Sequence, residues 1–215
     1  MDKSLSLTEQ AYNSIKDKII KCHILPGSDI SESQICEELG ISRTPVREAL
    51  LRLQQENFVT IYPRKGIIVS PITVKDIHEV FQIREMVEVY AAKNSCNNMS
   101  IDYLMEVKEK FSEIQFIPDT PSAMRYFELD TQFHKYIVQS GKNDYLVEFM
   151  NKIYDLDSRI RIMSTLEIED IEKRSTPEHI AIIDAIIDRD IKKIEDSILE
   201  HLRTAREAAL KRIYY

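Results

Sequence analysis

The first part of the chain contains three segments in which apolar residues recur every three or four positions, the spacing of an amphipathic helix. Turn-forming residues separate these segments, which extend over residues 8–25, 31–40 and 42–57. Ser31 and Ser42 occupy N-cap positions, and Pro45 falls in the first turn of the third segment, where its missing amide donor is not needed. The pattern predicts three helices, the second and third joined by a tight turn at Gly40.

The pattern changes after Asn57. Two short runs rich in β-branched residues, 58–62 and 67–69, flank the basic turn at residues 63–66. Such a pair of runs is typical of a β-hairpin. The order of two short helices, a tight turn between them and a following hairpin predicts a winged helix-turn-helix.

From residue 74 onward the chain shows only helical spacing. Six amphipathic helices are predicted, at about 74–95, 100–115, 121–140, 143–163, 169–188 and 190–212. The breaks between them contain Asn, Gly, Pro or Asp, for example from Pro118 to Pro121. The expected fold class is mainly α. It combines an N-terminal winged helix-turn-helix with a small hairpin wing over residues 1–70, a linker at 71–73, and a C-terminal all-α antiparallel bundle over residues 74–215.

The charge of the chain differs between these two parts. The formal net charge is -7, yet residues 1–70 carry nine basic and nine acidic residues, so the acidic excess lies in the second part. A neutral DNA-binding domain still works if its basic groups share one face, because only charges near the phosphates release counterions. The net charge therefore does not exclude DNA binding by the first part.

The cysteines and the apolar runs indicate the compartment. The three cysteines are far apart and form no C-x-x-C spacing, which argues against both a disulfide framework and a zinc finger. No apolar run approaches the roughly 20 residues of a membrane span, and the N-terminus lacks the apolar core of a signal peptide. The expected protein is cytoplasmic and does not bind membranes.

Basic residues stand at the two places where a winged helix-turn-helix meets DNA. Arg43, Thr44 and Arg47 lie at the start of the second helix of the motif, which enters the major groove and presents its first residues to base edges. Arg64 and Lys65 at the hairpin tip are expected to meet the phosphate backbone, and Gly66 allows the wing to approach closely. The alternative is that the arginines only solvate an exposed face, but their coincidence with the turn and the wing favours DNA contact. Arg52, further along the helix, is expected to be a surface or phosphate-positioning residue.

These residues resemble the GntR family of regulators over nearly all of residues 8–70. The resemblance is most specific in Ser42-Arg-Thr-Pro-Val-Arg-Glu-Ala-Leu50 and in the wing Pro63-Arg-Lys-Gly-Ile-Ile-Val69. It implies that Arg43, Arg47 and Gly66 contact operator DNA. Ser33 departs from the family, since some members have a basic DNA-contacting residue at that position.

Four polar residues fall on the apolar faces of helices in the second part. Asp130 and His134 are four residues apart on one predicted helix, while His179 and His201 begin or continue apolar stripes on two others. A buried carboxylate needs a partner or a cation, so these residues form either a metal site or a metal-free hydrogen-bond network. Three imidazoles and a carboxylate suit a divalent metal such as zinc, nickel, manganese or iron.

The second part resembles the FCD effector domain of the FadR subfamily, and its six helices are similar to the shorter, VanR-like branch. The matching segments include Asp130-Thr-Gln-Phe-His134, Glu178-His-Ile-Ala-Ile-Ile-Asp-Ala-Ile186 and Glu200-His-Leu202. The resemblance implies that Asp130, His134, His179 and His201 hold a divalent metal, with zinc the first expectation. It also implies that a small carboxylate effector binds beside the metal and that Arg84 assists. The alternative for Arg84 is a salt bridge with Glu88, four residues on; Arg159 and Arg161 are weaker candidates.

Three functions are compatible with these residues. The first is a homodimeric transcriptional regulator that binds a palindromic operator in double-stranded DNA and responds to an effector in the C-terminal domain. The second is a metalloenzyme that activates water at the four ligands, but it leaves the first 70 residues idle and lacks a general base. The third is a DNA-binding protein whose helical domain only dimerises. The sequence favours the first and predicts that the chain is not an enzyme.

Overall fold

The structure is a computed structural model that describes residues 5–117, 120–165 and 171–214. The chain divides into two compact units, one ending at Ile72 and the other beginning at Thr73. The elements of the first unit are α1 (Leu7–Ile20), β1 (Asp29–Ile30), α2 (Glu32–Leu39), α3 (Arg43–Gln55), β2 (Val59–Tyr62) and β3 (Gly66–Val69).

Local caps account for the helix boundaries in this unit. The Ser31 side chain accepts a hydrogen bond from the backbone N–H of Gln34, and Gly40 closes α2 in the left-handed conformation, at φ 65°. Ser42 stands at the N-cap of α3, as predicted, but makes no side-chain cap hydrogen bond. The first helix ends at Ile20, earlier than predicted, because Cys22 adopts a positive φ of 54° and turns the chain.

The wing belongs to a larger sheet than the predicted hairpin. Three antiparallel strands lie in the order β1-β3-β2, and Asp29 and Ile30 pair with Ile68 and Ile67. The prediction of two strands missed β1, because two residues are too few to show an alternating pattern. The short strand attaches the segment before α2 to the wing.

A small apolar core holds the first unit together. Ile15 and Ile19 of α1 and Leu50 and Leu53 of α3 are at most 1% exposed. The two helices pack directly against each other. Because the apolar positions of α3 face α1, its polar positions lie on the surface of the unit.

The second unit is all helical in the part that the structure describes. Its elements are α4 (Val74–Ser95), a short 3-10 helix (Cys96–Asn98), α5 (Ile101–Glu113), α6 (Pro121–Gln139), α7 (Asp144–Thr165), α8 (Ile171–Ile187) and α9 (Ile191–Tyr214). These helices confirm the predicted fold class. The predicted start of one helix at residues 169–170 and the predicted break at Pro118 and Asp119 lie outside the described residues.

Helix α4 organises the bundle. It begins with a capping box, in which the Thr73 side chain and the Asp76 carboxylate bind each other's backbone N–H groups. Its buried face contacts α6, α7 and α9, and α8 packs on α5 and α9. The polar residues on these faces are thereby brought together inside the unit. None of the described helices combines the length and the apolar character that crossing a membrane requires.

Candidate DNA-binding surface and metal centre

The start of α3 is polar and open. Arg43, Thr44 and Arg47 are exposed, while Val46 on the opposite face is fully buried. The N-terminal turn of this helix thus offers two guanidinium groups and a hydroxyl to the surroundings. Groups of this kind bind guanine edges and phosphate oxygens when a recognition helix lies in the major groove.

The two arginines of this turn differ in their contacts. The Arg47 Nε donates to both carboxylate oxygens of Glu32, at 3.2 and 3.1 Å. Arg43 has no hydrogen-bond or ion-pair partner among the described residues. One arginine is therefore oriented by its own domain, and the other is not.

The wing tip is exposed and needs an unusual backbone. Arg64, Lys65 and Gly66 are all exposed, and the Lys65 N–H closes the turn by donating to the Tyr62 carbonyl at 3.0 Å. Gly66 has a φ of 134°, which L-residues rarely adopt. The backbone of the turn, rather than lack of space, therefore requires glycine there.

Arg52 is engaged within its own unit. Its guanidinium lies 3.7 Å from the centre of the Tyr12 ring and within 3.5 Å of the carboxylates of Glu9 and Glu56. Arg52 thus connects α1 to α3, and its charge is paired with these two carboxylates. Ser33, at the position that departs from the family pattern, is exposed and lies 2.9 Å from the Ser31 hydroxyl.

The four polar residues singled out in the second part lie together inside the bundle. Asp130 and His134 come from α6, His179 from α8 and His201 from α9. One ligand atom from each lies within 4.8 Å of the others, and all four side chains are buried. Three helices thus bring one carboxylate and three imidazoles to one point, as their spacing predicted.

The imidazole rings are held from outside this cluster. Each has a partner at its Nδ1 atom: Glu88 at 2.7 Å for His134, Glu178 at 2.9 Å for His201 and Ser175 at 3.3 Å for His179. The Nε2 atoms of His134 and His179 are buried and have no hydrogen-bond partner within the described ranges. They lie 3.7 and 3.3 Å from the Asp130 carboxylate oxygens. A histidine that binds a metal through one ring nitrogen usually has such an outer partner on its other ring nitrogen, so this geometry is compatible with metal binding.

Burial and charge set the protonation of this cluster. Burial lowers the pKa of His179 and lowers that of His201 well below its usual value, which favours neutral rings with a lone pair to donate. Burial alone would raise the pKa of Asp130, but the charge of the adjacent Arg161 guanidinium lowers it well below its usual range. Neutral rings at His179 and His201 beside an ionised Asp130 are the protonation states that a cation needs.

A chain of buried ion pairs continues from the cluster. Arg84 donates from Nε to Glu88 at 2.7 Å and from Nη1 to Asp157 at 2.8 Å, and Arg161 bonds both Asp157 and Asp130. The salt bridge between Arg84 and Glu88 that the spacing suggested is therefore present. The Arg84 Nη2 is buried with no hydrogen-bond partner in the described part of the chain. This nitrogen remains able to donate to a ligand.

A cavity of about 60 Å³ adjoins the cluster. Its polar lining includes Arg84, Asp130, Arg161 and His201, and its apolar lining includes Phe81 and Ala209. Arg159, the other weaker candidate, is buried but is not among the described lining residues. The cavity therefore borders two members of the cluster, Asp130 and His201, and the arginines Arg84 and Arg161 beside it.

Sequence reasoning missed the carboxylates that support the cluster. Glu88, Asp157 and Glu178 were not predicted to orient anything, although Glu88 and Asp157 are almost completely buried. A signal was present in α4, where Arg84 and Glu88 continue the helical spacing of the buried Ile77 and Phe81. Charged residues at core positions of an amphipathic pattern indicate buried pairs.

Comparison with known proteins identifies both units. Residues 79–204 match the FCD domain, and residues 7–69 match the family described as bacterial regulatory proteins, gntR family. The transcriptional repressor RspR of Escherichia coli is 23% identical over 202 residues, which cover 94% of this chain and 88% of the repressor.

Solved structures show the same fold. McbR/YncC of Escherichia coli has a TM-score of 0.81 at 21% identity, covering 97% of this chain and 99% of that one. A GntR transcriptional regulator from Rhodococcus sp. RHA1 has a TM-score of 0.82 at 20% identity, covering 98% and 100%. The domains and relatives are those of transcriptional regulators and not of enzymes, as the sequence predicted. The chain belongs to the GntR family of bacterial transcriptional regulators and carries an FCD domain in its C-terminal part.

Proposed function

We propose that this regulator is a cytoplasmic homodimer that binds a palindromic operator, and that a small carboxylate bound at a divalent metal in the helical domain changes its affinity for DNA. The observation that carries this proposal is the convergence of four buried ligand atoms next to a cavity lined by arginine. A domain that only dimerises has no need of such a cluster.

The DNA contacts come from the exposed residues of α3 and the wing. Arg47 and Arg43 face base edges, and Thr44 contacts the duplex beside them. Arg64 and Lys65 bind the phosphate backbone, while the glycine backbone at Gly66 shapes the turn that presents them. Residues 1–70 act as the DNA-binding domain in this proposal.

Asp130, His134, His179 and His201 would hold the metal. The orphaned Nε2 atoms of His134 and His179 fit this role, because an unpaired buried nitrogen is costly unless it binds something. Three imidazoles and a carboxylate suit zinc, and also nickel, manganese or iron. The metal would supply a positive charge that attracts an anionic ligand into the cavity.

Arg84 would assist the carboxylate. Its Nη2 is the remaining donor of a guanidinium that Glu88 and Asp157 already fix in place. A fixed donor binds an anion with little loss of side-chain entropy. Arg161, paired with Asp130 in the cavity wall, is the second candidate for this role.

Residues 74–215 would also form the dimer. Met86 and Tyr90 on α4 and Leu199 on α9 expose apolar surface, which is suitable for burial against a second copy. The effector acts if it binds more tightly to one arrangement of the dimer than to another, so that binding shifts the population between DNA-competent and incompetent forms.

The experiment measures metal content and operator binding in the same preparations. Elemental analysis before and after chelation is expected to show stoichiometric metal in the wild-type protein and little in His179→Ala. His78→Ala is the matched control, because His78 is exposed on α4 and lies outside the cluster. Operator affinity, on a site selected from random duplexes, is then measured with and without small carboxylates.

Two results would count against the proposal. If the wild-type protein holds no metal under any loading condition, the helical domain does not bind an effector at a metal, and the alternative of a domain that only dimerises is favoured. Selection that returned no palindromic site would contradict symmetric operator binding.

A further inference from the structure

We propose that Glu32 is a positioning residue for sequence readout, because its carboxylate fixes Arg47 through Nε while both terminal nitrogens stay available for a base. This inference rests on the proposed contact between Arg47 and the operator. It assigns a role in selectivity to an acidic residue that would be expected to weaken binding to DNA.

The contact joins two helices of the DNA-binding unit. Glu32 is the first residue of α2, and Arg47 lies one turn into α3. The Arg47 Nε lies 3.2 and 3.1 Å from the two Glu32 oxygens, so the carboxylate binds the stem end of the guanidinium. The Arg47 side chain is 65% exposed and that of Glu32 is 23% exposed. The pair lies at the surface, with the arginine as its outer member.

The terminal groups of Arg47 are uncommitted. Its Nη1 and Nη2 make no hydrogen bond with any described residue. Two parallel N–H groups match the O6 and N7 acceptors of guanine. A guanidinium held at Nε keeps these two groups as a fork for an external acceptor, whereas one held at Nη would lose them.

Restraint of Arg47 lowers the entropic cost of readout. A free arginine samples many rotamers and loses that freedom when it binds a base. Glu32 limits these rotamers before DNA arrives, so less freedom is lost on binding. The benefit is gained only where a guanine edge meets the fixed fork, and it therefore adds to affinity for the operator but not for other sequences.

The charge of Glu32 has a separate effect, which does not depend on the DNA sequence. A carboxylate next to the DNA surface is repelled by phosphates on every duplex, so it weakens non-specific binding. On the operator this cost is offset by the oriented arginine. The repulsion lowers both affinities alike, so the ratio of operator affinity to non-specific affinity is raised by the orientation of Arg47 and not by the charge of Glu32.

The test measures binding to an operator and to a scrambled duplex over a range of salt concentrations. Glu32→Ala is expected to lower the ratio of the two affinities about tenfold, with weaker operator binding and unchanged or tighter binding to the scrambled duplex. Glu32→Gln, which retains an acceptor for Nε, is expected to keep more of the ratio. Glu37→Gln is the matched control, because Glu37 is exposed on the same helix and its substitution removes the same negative charge. It should leave the ratio unchanged.

A double-mutant comparison separates positioning from charge. When Arg47 is already alanine, Glu32→Ala should no longer change the ratio. The inference is overturned if Glu32→Ala keeps the wild-type ratio, or if it shifts both duplexes equally, as Glu37→Gln would by charge alone. If Arg47→Ala itself leaves operator affinity intact, the proposed contact between Arg47 and the operator is contradicted. That outcome is distinguishable from one in which Arg47→Ala weakens operator binding and only the positioning role of Glu32 fails. Should Glu32→Ala not fold, Glu32→Gln in both Arg47 backgrounds gives the comparison instead, with a smaller expected change in the ratio.

Discussion

Arg47 and Arg84 carry the same guanidinium group in opposite settings. The Arg47 side chain is 65% exposed and touches one carboxylate, whereas that of Arg84 is 2% exposed and touches two. An exposed cation keeps water as its default partner and can exchange it for a ligand at little cost. A buried cation must find its partners inside the protein, because desolvation is otherwise prohibitive.

The same contrast between exposed and buried groups distinguishes the candidate DNA-binding surface from the candidate metal centre. The exposed side chains at the start of α3 and at the wing tip can be changed with little consequence for folding, so substitution of Arg43, Thr44, Arg47, Arg64 or Lys65 should report on DNA binding. The residues around the buried cluster of Asp130, His134, His179 and His201 support one another, so their substitution should report first on stability. The predictions below test this division.

The largest effect is expected from Arg84→Ala. It leaves Glu88 and Asp157 buried without their shared cation, and breaking such a pair costs about 3 to 5 kcal/mol of unfolding free energy. Urea denaturation measures this loss. Lys75→Ala is the control, since Lys75 forms an i, i+4 pair with Glu79 on the exposed side of the same helix and should change stability by about 0.5 kcal/mol or less. Equal losses in the two variants would show that burial is not decisive here.

A second prediction concerns acid unfolding. Burial alone would raise the pKa of Glu88, but Arg84 and His134 lower it from 4.5 to about 2. The ionised carboxylate therefore stabilises the fold fully above pH 4.5, and this contribution is lost as the pH falls toward 2. Unfolding free energy followed from neutral to acid pH should decline less steeply in Glu88→Gln. The same change at the exposed Glu79 should leave the slope as it is.

On the exposed side, Arg47→Ala is expected to weaken operator binding by about 1 to 3 kcal/mol, the value of a good base contact. Its stability should stay within about 0.5 kcal/mol of wild type, because the side chain is on the surface. Fluorescence anisotropy with an operator duplex, paired with a thermal melt, measures both. Arg203→Ala removes the same charge from the exposed part of α9 and should leave operator affinity unchanged. If Arg47→Ala destabilises the protein instead, Arg47 contributes to folding stability, as the buried residues of the second unit are expected to do.

The smallest effect is expected from Lys65→Ala at the wing tip. A phosphate contact adds affinity for every sequence alike, so operator and scrambled duplexes should weaken together. The slope of log affinity against log salt should become shallower by about 1. A loss confined to the operator would mean that the wing reads bases.

Local signals predicted much of the fold. Ser31 and Gly40 bound α2 because capping depends on neighbours within a few residues. Strand β1 escaped prediction because its partner, β3, lies almost forty residues away and only tertiary contact defines it. The four candidate ligands could be predicted because their helical spacing is visible in the sequence. The carboxylates that orient them could not, because only tertiary contact brings them close.

The orienting carboxylates depend on how the helices are rotated about one another. Glu88 reaches His134 from a different helix, 46 residues away, and nothing in either local pattern specifies that pairing. Glu32 and Arg47 raise the same difficulty in the first unit, where the contact crosses between α2 and α3. Residue types at helical spacing predicted which candidate site residues lie close together, but not which carboxylates orient them.

The stacking of Arg52 on Tyr12 has a consequence for the motions of the recognition helix. The cation over the ring and the hydrogen bonds from the Tyr12 hydroxyl to Glu56 tie the end of α3 to α1 through groups on both helices. Elements joined in this way open and close together, as one cooperative unit of local unfolding. The amide protons of α1 and α3 should therefore exchange with solvent at a common opening rate, and the recognition helix would move only when the first helix moves with it.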